Sequence, residues 1–544
     1  MTPRIAAAGD SALLVELGDA IDVATNERAI GVAAAVRAAG IGGVRDVVST
    51  FRSVAVCFDP LSTDVDALAA FLARACEASW PPVGGRLVEV PVTYGGDAGP
   101  DLDEVAGWAG VTPESFIERH ASRDYRVFML GFLPGFAYLG IVDERIAAPR
   151  RGTPRLQVPA GSVGVAGRQT GVYPRASPGG WQLIGRTSTT LFDPNRTPAS
   201  VFSPGYRVRF VPVDDQGGGP GAPGERSALA WPLETSRSIT VIRPGLLTTI
   251  QDLGRWGHQA CGVSVSGPMD PVAHRVANAL VGNSADAATL EATILGPELR
   301  IDADVVIAVA GGDLGATLDG SPLAPGAAVR GAAGSVLRFG ERRRGARAYV
   351  AFGGGLDVPA VLGSRATHRL SALGGFGGRA LRAGDRIPVG GQTGAPRALL
   401  SAAEGAAHAA IRGARVRVLP GPQDDFFEPA AFERLQRLRF TISPQSDRMG
   451  YRLTGATVPR ASREMISDAT FVGGLQIPPS GEPILLMADR QTTGGYPQIA
   501  TVITADLPAA GQLAPGDWIE FEVCTRRTAV AALAAQERAV RAGG

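Results

Sequence analysis

A short polar motif occurs twice in this chain: residues 168–174 read RQTGVYP and residues 490–497 read RQTTGGYP. These residue types suit the capture of a small planar amide. Glutamine, threonine and tyrosine supply donors and acceptors together. Arginine stays charged and grips oxyanions bidentately. Glycine lets the backbone approach a ligand closely. Around the first copy the candidate binding residues are Arg155, Ser162, Gln169, Thr170 and Tyr173; around the second they are Arg490, Gln491, Thr492 and Tyr496. A third polar segment, 244–270, holds Thr248, Gln251, Asp252, Arg255, Ser266 and Asp270. Asp252 two residues before Gly254-Arg255 can pair a base with an anion clamp, whereas Asp270 reads as a helix cap. GFLPGFAYLG at 131–140 reads either as a rigid loop with an aromatic wall for a ligand or as a tight turn with buried rings. Asp447-Arg448 and Glu464…Asp468 are acid groups near the second motif; solvated turn charges are the plainer reading.

These residues need elements to hold them. Residues 1–95 alternate strand and helix as β-α-β-β-α-β, the ferredoxin-like split unit, with a capping box at Thr63 and Asp66. Thr112-Pro113 opens a short helix running to about His120. Residues 96–213 turn to short strands broken by Gly and Pro, the pattern of a β-barrel. Residues 214–238 are rich in Gly and Pro and read as a linker. A β-rich module follows over 239–392 with one helix after Asp270, then a β-barrel module over 413–524, with a helix near Pro429–Leu438 and a C-terminal helix in 525–544. Each motif lies upstream of a Pro-Gly turn feeding a strand, SPGYRVRF at 203–210 and APGDWIEF at 514–521, so two related β modules are expected.

Composition removes several chemistries. None of the 53 basic residues is lysine. The chain therefore cannot carry biotin, form a Schiff base, supply a P-loop lysine or run a Ser-Lys nucleophile. A net charge of +1 gives no case for nucleic acid or membrane binding. The four cysteines form no CxxC, which fits a reducing, cytoplasmic compartment, and the five histidines show no metal-binding spacing.

Long segments resemble one family. HxxxxYRVFMLGFLPGFAYL, PRxxVPAGSVGVAGRQTGVYP and SPGGWQLIGRT in residues 1–213 are similar to KipI, the B subunit of 5-oxoprolinase. In residues 239–524, PGLLTTIQDLGRxG, SGPMD, ANxLVGN, LExTxxGP, VLGSRAT, GPQxDxF, SDRMGYRL and LMADRQTTGGYP are similar to KipA, the C subunit of 5-oxoprolinase. The pair, also called allophanate hydrolase subunits 1 and 2, further resembles the carboxyltransferase region of urea carboxylase. Pro268 and Ala469 depart from the usual alanine and glycine. The resemblance implies cyclophilin-like barrels, a site shared by the two halves, and a mainly β fold with α+β parts. It implies an ATP-dependent 5-oxoprolinase component, with Mg²⁺ carried by the nucleotide and a separate LamB/YcsF-type A subunit. In that reading Arg155, Arg255 or Arg490 holds phosphate, and Asp252 or Asp489 orients water or Mg²⁺. His120 is a further titrating candidate, and Gln169 and Thr170 or their second-copy equivalents hold the lactam edge. A carboxyltransferase with a separate biotin carrier is the alternative; a regulator of a sensor histidine kinase is the third. The C-terminal helix is compatible with a homo-oligomer.

Overall fold

A computed structural model describes residues 2–81, 84–214, 237–391 and 412–542, so most of the 214–238 linker lies outside the described residues. The N-terminal unit is the expected α+β layer with one strand exchanged. Its antiparallel sheet runs, edge to edge, Arg4–Ala7, Ala12–Glu16, Ser53–Phe58, Val44–Ser49. Helices Val23–Ala39 and Val65–Glu77 pack against it through an apolar core containing Val32, Leu68 and Leu72. The strand expected to close this sheet, Leu87–Tyr94, joins the following barrel, and the N-terminal Arg4–Ala7 takes its place. The cap of the second helix also differs from expectation. Asp64 accepts from the N–H groups of Asp66 and Ala67 at 3.1 and 3.0 Å, while Thr63 donates to the Gly42 carbonyl.

The two β modules share one topology. The first barrel orders its strands, starting from Leu87–Tyr94, as Gln182–Arg186, Ser162–Ala166, Gln169–Val172, Ala137–Gly140, Tyr125–Leu130 and Arg207–Pro212. The second begins with Gly413–Pro420 and continues Gln498–Val502, Gly474–Gln476, Ile484–Leu486, Gly450–Thr454, Phe440–Ile442 and Trp518–Val523. In both, the first and last strands are parallel neighbours and close the ring. The Pro-Gly turns predicted to mark the repeat do precede equivalent final strands, with Gly205 and Gly516 in the left-handed region at φ 90° and 87°. The RQT copies themselves are not equivalent. The first lies on the strand Gln169–Val172, whose counterpart is Ile484–Leu486; the second lies in the segment after that counterpart.

Between the barrels in sequence, residues 237–391 form two sheets of six and five strands around a core including Leu290, Leu299, Val309 and Val350. The helix Pro271–Leu280 lies on this module, capped by Asp270, whose Oδ1 accepts from Ala273 N–H at 2.9 Å. The N-terminal layer ties both halves together. Asp46 accepts from the Gly257 and Gln259 N–H groups, Asp10 accepts from Thr504, and Ser53 donates to Asp468. Each contact gives a buried carboxylate a donor across a module boundary. A shift of the modules would leave these groups buried without partners, which fixes the arrangement.

Candidate functional site

A cavity of about 1150 Å³ lies where the two barrels meet. One wall is aromatic. Phe136 makes edge-to-face contacts with Tyr138, Tyr173 and Trp181, at centroid separations of 5.0, 5.3 and 5.5 Å. Such pairs hold the rings in place beyond their simple burial. The wall is completed by Phe132, a non-glycine residue at φ 64°. Its N–H donates to Thr493 Oγ1 at 3.1 Å, so the second half holds the first half's loop in a strained conformation. On the other side of this loop Gly135 N–H donates to the Cys261 carbonyl. The fit is close. A Cβ on Gly131 would sit 2.1 Å from Thr493 Oγ1, and one on Gly262 would sit 2.3 Å from the Leu133 carbonyl oxygen. GFLPGFAYLG is thus both a tight turn with buried rings and a wall of the cavity.

The glutamines of both motifs line this cavity, Gln169 from the first half and Gln491 from the second. Neither side-chain amide has a hydrogen-bond partner among the described residues, so both keep a donor and an acceptor for a ligand. Tyr173 and Tyr496 line it as well. Burial pushes the Tyr173 hydroxyl up to about 12, which keeps it a neutral donor. Arg150 and Arg168, both exposed at the cavity, form no ion pair among the described residues. Glu464 is the carboxylate on the lining.

Other expected site residues stand elsewhere, each for a visible reason. His120 is fully buried inside the first barrel, stacked on Phe210 at 4.7 Å. Its Nδ1 lies 2.8 Å from the Tyr94 hydroxyl and its Nε2 2.9 Å from Thr170 Oγ1, which in turn donates to the Gly164 carbonyl. Burial drives the imidazole down to about 3. His120 and Thr170 are therefore a satisfied core network with no access to a substrate. Ser162 and Thr492 are buried too, away from the cavity lining. Arg155 turns to Asp101, 2.6 Å away, and the arginines that reach the cavity are Arg150, Arg151, Arg168 and Arg460.

Asp252 and Arg255 do not form a base and an anion clamp. Asp252 organises a loop, accepting from the Gly254 N–H, the Ser364 hydroxyl and the Arg365 N–H. Arg255 is buried and donates to the carbonyls of Val361, Ser364 and Ala366; burial lowers it to about 10. Asp489 is likewise buried, at the centre of an ionic cluster. Arg448 Nε and Nη2 donate to its two oxygens at 2.9 and 3.0 Å, and Ser266 Oγ lies 2.5 Å from Oδ1. Arg448 also donates to Glu291 and to the Gly267 carbonyl, and the Tyr349 hydroxyl donates to Glu291 at 2.7 Å. Burial alone would raise the Asp489 carboxyl, but Arg448 outweighs it and holds the group below its ordinary range. Ser266 and Arg490 line a second cavity on the far side of this segment. Among the described residues no cluster of three or more His, Cys, Asp or Glu side chains is placed to hold a metal ion, and no helix is long and apolar enough to cross a membrane.

The signal that could have found Arg168 was in plain view, as the first letter of the motif. Arg150 carries no local pattern, and only the fold brings it to the same opening.

Both halves of the chain have known relatives. A family model described as "Carboxyltransferase domain, subdomain C and D" matches residues 3–202, and one described as "Carboxyltransferase domain, subdomain A and B" matches residues 261–523. The chain is 38% identical over 301 residues to the C subunit of 5-oxoprolinase from Escherichia coli, covering 55% of this chain and 96% of that protein. It is 40% identical over 225 residues to the B subunit of 5-oxoprolinase from Bacillus subtilis, covering 38% of this chain and 92% of that protein. The crystal structure of TTHA0988 is similar across both halves at once, with 36% identity and a TM-score of 0.83 over 94% of this chain and 99% of that one.

Proposed function

The chain belongs to the carboxyltransferase-domain family that includes the B and C subunits of 5-oxoprolinase, and from that premise we propose that it is the fused B and C component of an ATP-dependent 5-oxoprolinase. The observation that carries this reading is that one cavity receives a free glutamine amide from each half, Gln169 and Gln491. Two such amides can satisfy both edges of a lactam, donating to its carbonyl oxygen and accepting from its N–H. Arg150 and Arg168 then take anionic oxygens, whether of the substrate carboxylate or of a nucleotide's phosphates. The aromatic wall excludes water and strengthens these polar contacts. Glu464 is the lining group able to orient a water or a nucleotide-borne Mg²⁺. ATP would supply activation of the lactam carbonyl, a poor electrophile, before its C–N bond is hydrolysed to give glutamate. Pockets for one small ligand run to about 1000 Å³, so this cavity has room for a compact lactam beside a larger co-substrate.

The partner is a LamB/YcsF-type A subunit. The test is lactam-dependent ATP turnover by the full chain with that partner present, repeated with Gln169→Ala and Gln491→Ala. The expected result is coupled turnover, reduced about tenfold or more by each substitution, as for loss of a buried hydrogen bond. Absence of coupling with an active partner would overturn the assignment.

The matched family description favours a second reading, a carboxyltransferase acting on urea or a related small amide. With no lysine in this chain, the biotin would have to ride on another protein. Carboxylation of urea by the full chain with a carboxybiotin carrier, and no lactam-dependent ATP turnover, is the result that selects it.

A further inference from the structure

The second cavity, about 750 Å³, opens between the N-terminal layer, the 253–272 segment, the second barrel and the C-terminal helix Arg526–Ala542. Its inner wall holds Arg490, only 3% exposed. A charge so deep in a protein is ordinarily paired. Arg490 is not: among the described residues it forms no ion pair. Its Nη2 donates to Gln259 Oε1 at 2.8 Å and its Nε to the Thr470 carbonyl at 3.4 Å. Asp46, the nearest carboxylate in this network of contacts, is held one residue away behind the Gln259 amide. Nη1 has no hydrogen-bond partner among the described residues. Cys57, also on this lining, offers no thiolate to balance the charge, because burial pushes its thiol up to about 11.

The remaining lining is amphipathic. Trp256, Phe471, Met269 and Met487 form an apolar slot, and Arg45, Arg275 and Arg541 stand around it against Asp59 and Glu537. Arg45 is paired with Asp59 at 2.7 Å and Arg275 with Glu537, whose carboxylate Arg541 also faces, so the arginines on the lining outnumber the carboxylates. A cation buried without a counter-ion, at the end of an apolar slot, selects a small organic molecule with one anionic head and an apolar body. We propose that this cavity is a second ligand site, taking an organic carboxylate whose head meets Arg490 and whose body lies against Trp256 and Phe471.

The two cavities draw on one stretch of chain for part of their linings. Met487, Ala488 and Arg490 line the second cavity, while Gln491, Thr493 and Tyr496 line the first.

The experiment titrates the full chain with benzoate and follows Trp256 emission, with benzamide and inorganic phosphate as separate arms. Benzoate should give a saturable change; benzamide, lacking charge, and phosphate, lacking an apolar body, should not. Trp256→Phe should abolish the emission change while calorimetry still detects benzoate. Arg490→Gln should weaken benzoate about tenfold, the loss of a charge-assisted hydrogen bond. Because Arg490 also anchors Gln259, Arg541→Glu serves as the surface variant, expected to weaken benzoate about threefold at low salt. No saturation with benzoate, equal response to benzamide, competition by phosphate, or an emission change that survives Trp256→Phe would each overturn the site. None of these readouts involves ATP, lactam or a partner protein, so the outcome is independent of the proposed reaction.

Discussion

Asp489 next to a motif arginine reads as a catalyst, but its surroundings make it a structural anion, and Asp489→Asn separates the two. The carboxylate accepts two hydrogen bonds from Arg448, at 2.9 and 3.0 Å, and stands 2.5 Å from Ser266 Oγ. Asparagine keeps one acceptor and turns an NH₂ toward the guanidinium donors. Arg448, only 5% exposed, is left with Glu291 and the Gly267 carbonyl, short of one charge. Breaking a buried pair from one side costs about 3–5 kcal/mol. At roughly 2–4 °C per kcal/mol for a unit of this size, the transition that melts the second barrel with the 237–391 module should fall by roughly 6–20 °C. A chain of several modules is not two-state, so the assay is calorimetry of the full chain, following that transition. Arg448→Met combined with Asp489→Leu should regain part of the loss, because no charge of the pair stays buried alone and Glu291 keeps Tyr349 and the Met269 N–H. An unchanged melting profile in Asp489→Asn together with lost turnover would refute the argument and return Asp489 to the chemistry.

The buried histidines set an acid limit. His120 is held near 3 and His274 near 4, in both cases by burial, against about 6.5 when unfolded. Both folded values are depressed bases, so the unfolded chain takes up the extra protons: stability is full above pH 6.5 and falls as pH drops toward 4, by about 1.4 kcal/mol per unit for each histidine. A melting temperature that stays flat between pH 6.5 and 4.5 would contradict this, and His274→Gln should make the decline shallower. At the barrel contact, Gly131→Val places a side chain where Thr493 stands, at an expected cost of about 1–3 kcal/mol. Pairing it with Thr493→Gly should restore much of that stability, as measured by chemical denaturation; no recovery would mean the clash lies elsewhere.

Much of this architecture was legible in the sequence because local signals agree with it. Thr112-Pro113 and Asp270-Pro271 open the helices they should, and the two Pro-Gly turns mark equivalent final strands. What local pattern does not contain is which barrel face a residue occupies. His120 and Thr170 point inward and satisfy each other, while Gln169, one residue away, points into the cavity. Arg155 and Arg150 are equally plausible anion binders on paper, and Asp101, more than 40 residues upstream, decides between them by claiming the first. The closing strand of the N-terminal layer differs from expectation for a similar reason: Leu87–Tyr94 has the composition of a buried strand, and either sheet would accept it. The likeness of the RQT copies is real as sequence, yet the first lies on a barrel strand and the second in the segment after the equivalent strand, so motif identity located the cavity without aligning the barrels.

Each barrel closes by setting its last strand alongside its first in the same direction, over the six pairs from Leu87 with Arg207 to Val92 with Pro212 and the six from Gly413 with Trp518 to Val418 with Val523. The chain therefore comes in at one rim and departs from the other. A pull on the two ends of either barrel slides these strands lengthwise, loading all the bonds of the seam together and leaving no single bond to open first. Each ring is thereby mechanically latched against traction along the polypeptide, whether applied by an unfolding motor or between the probe and surface of a force microscope.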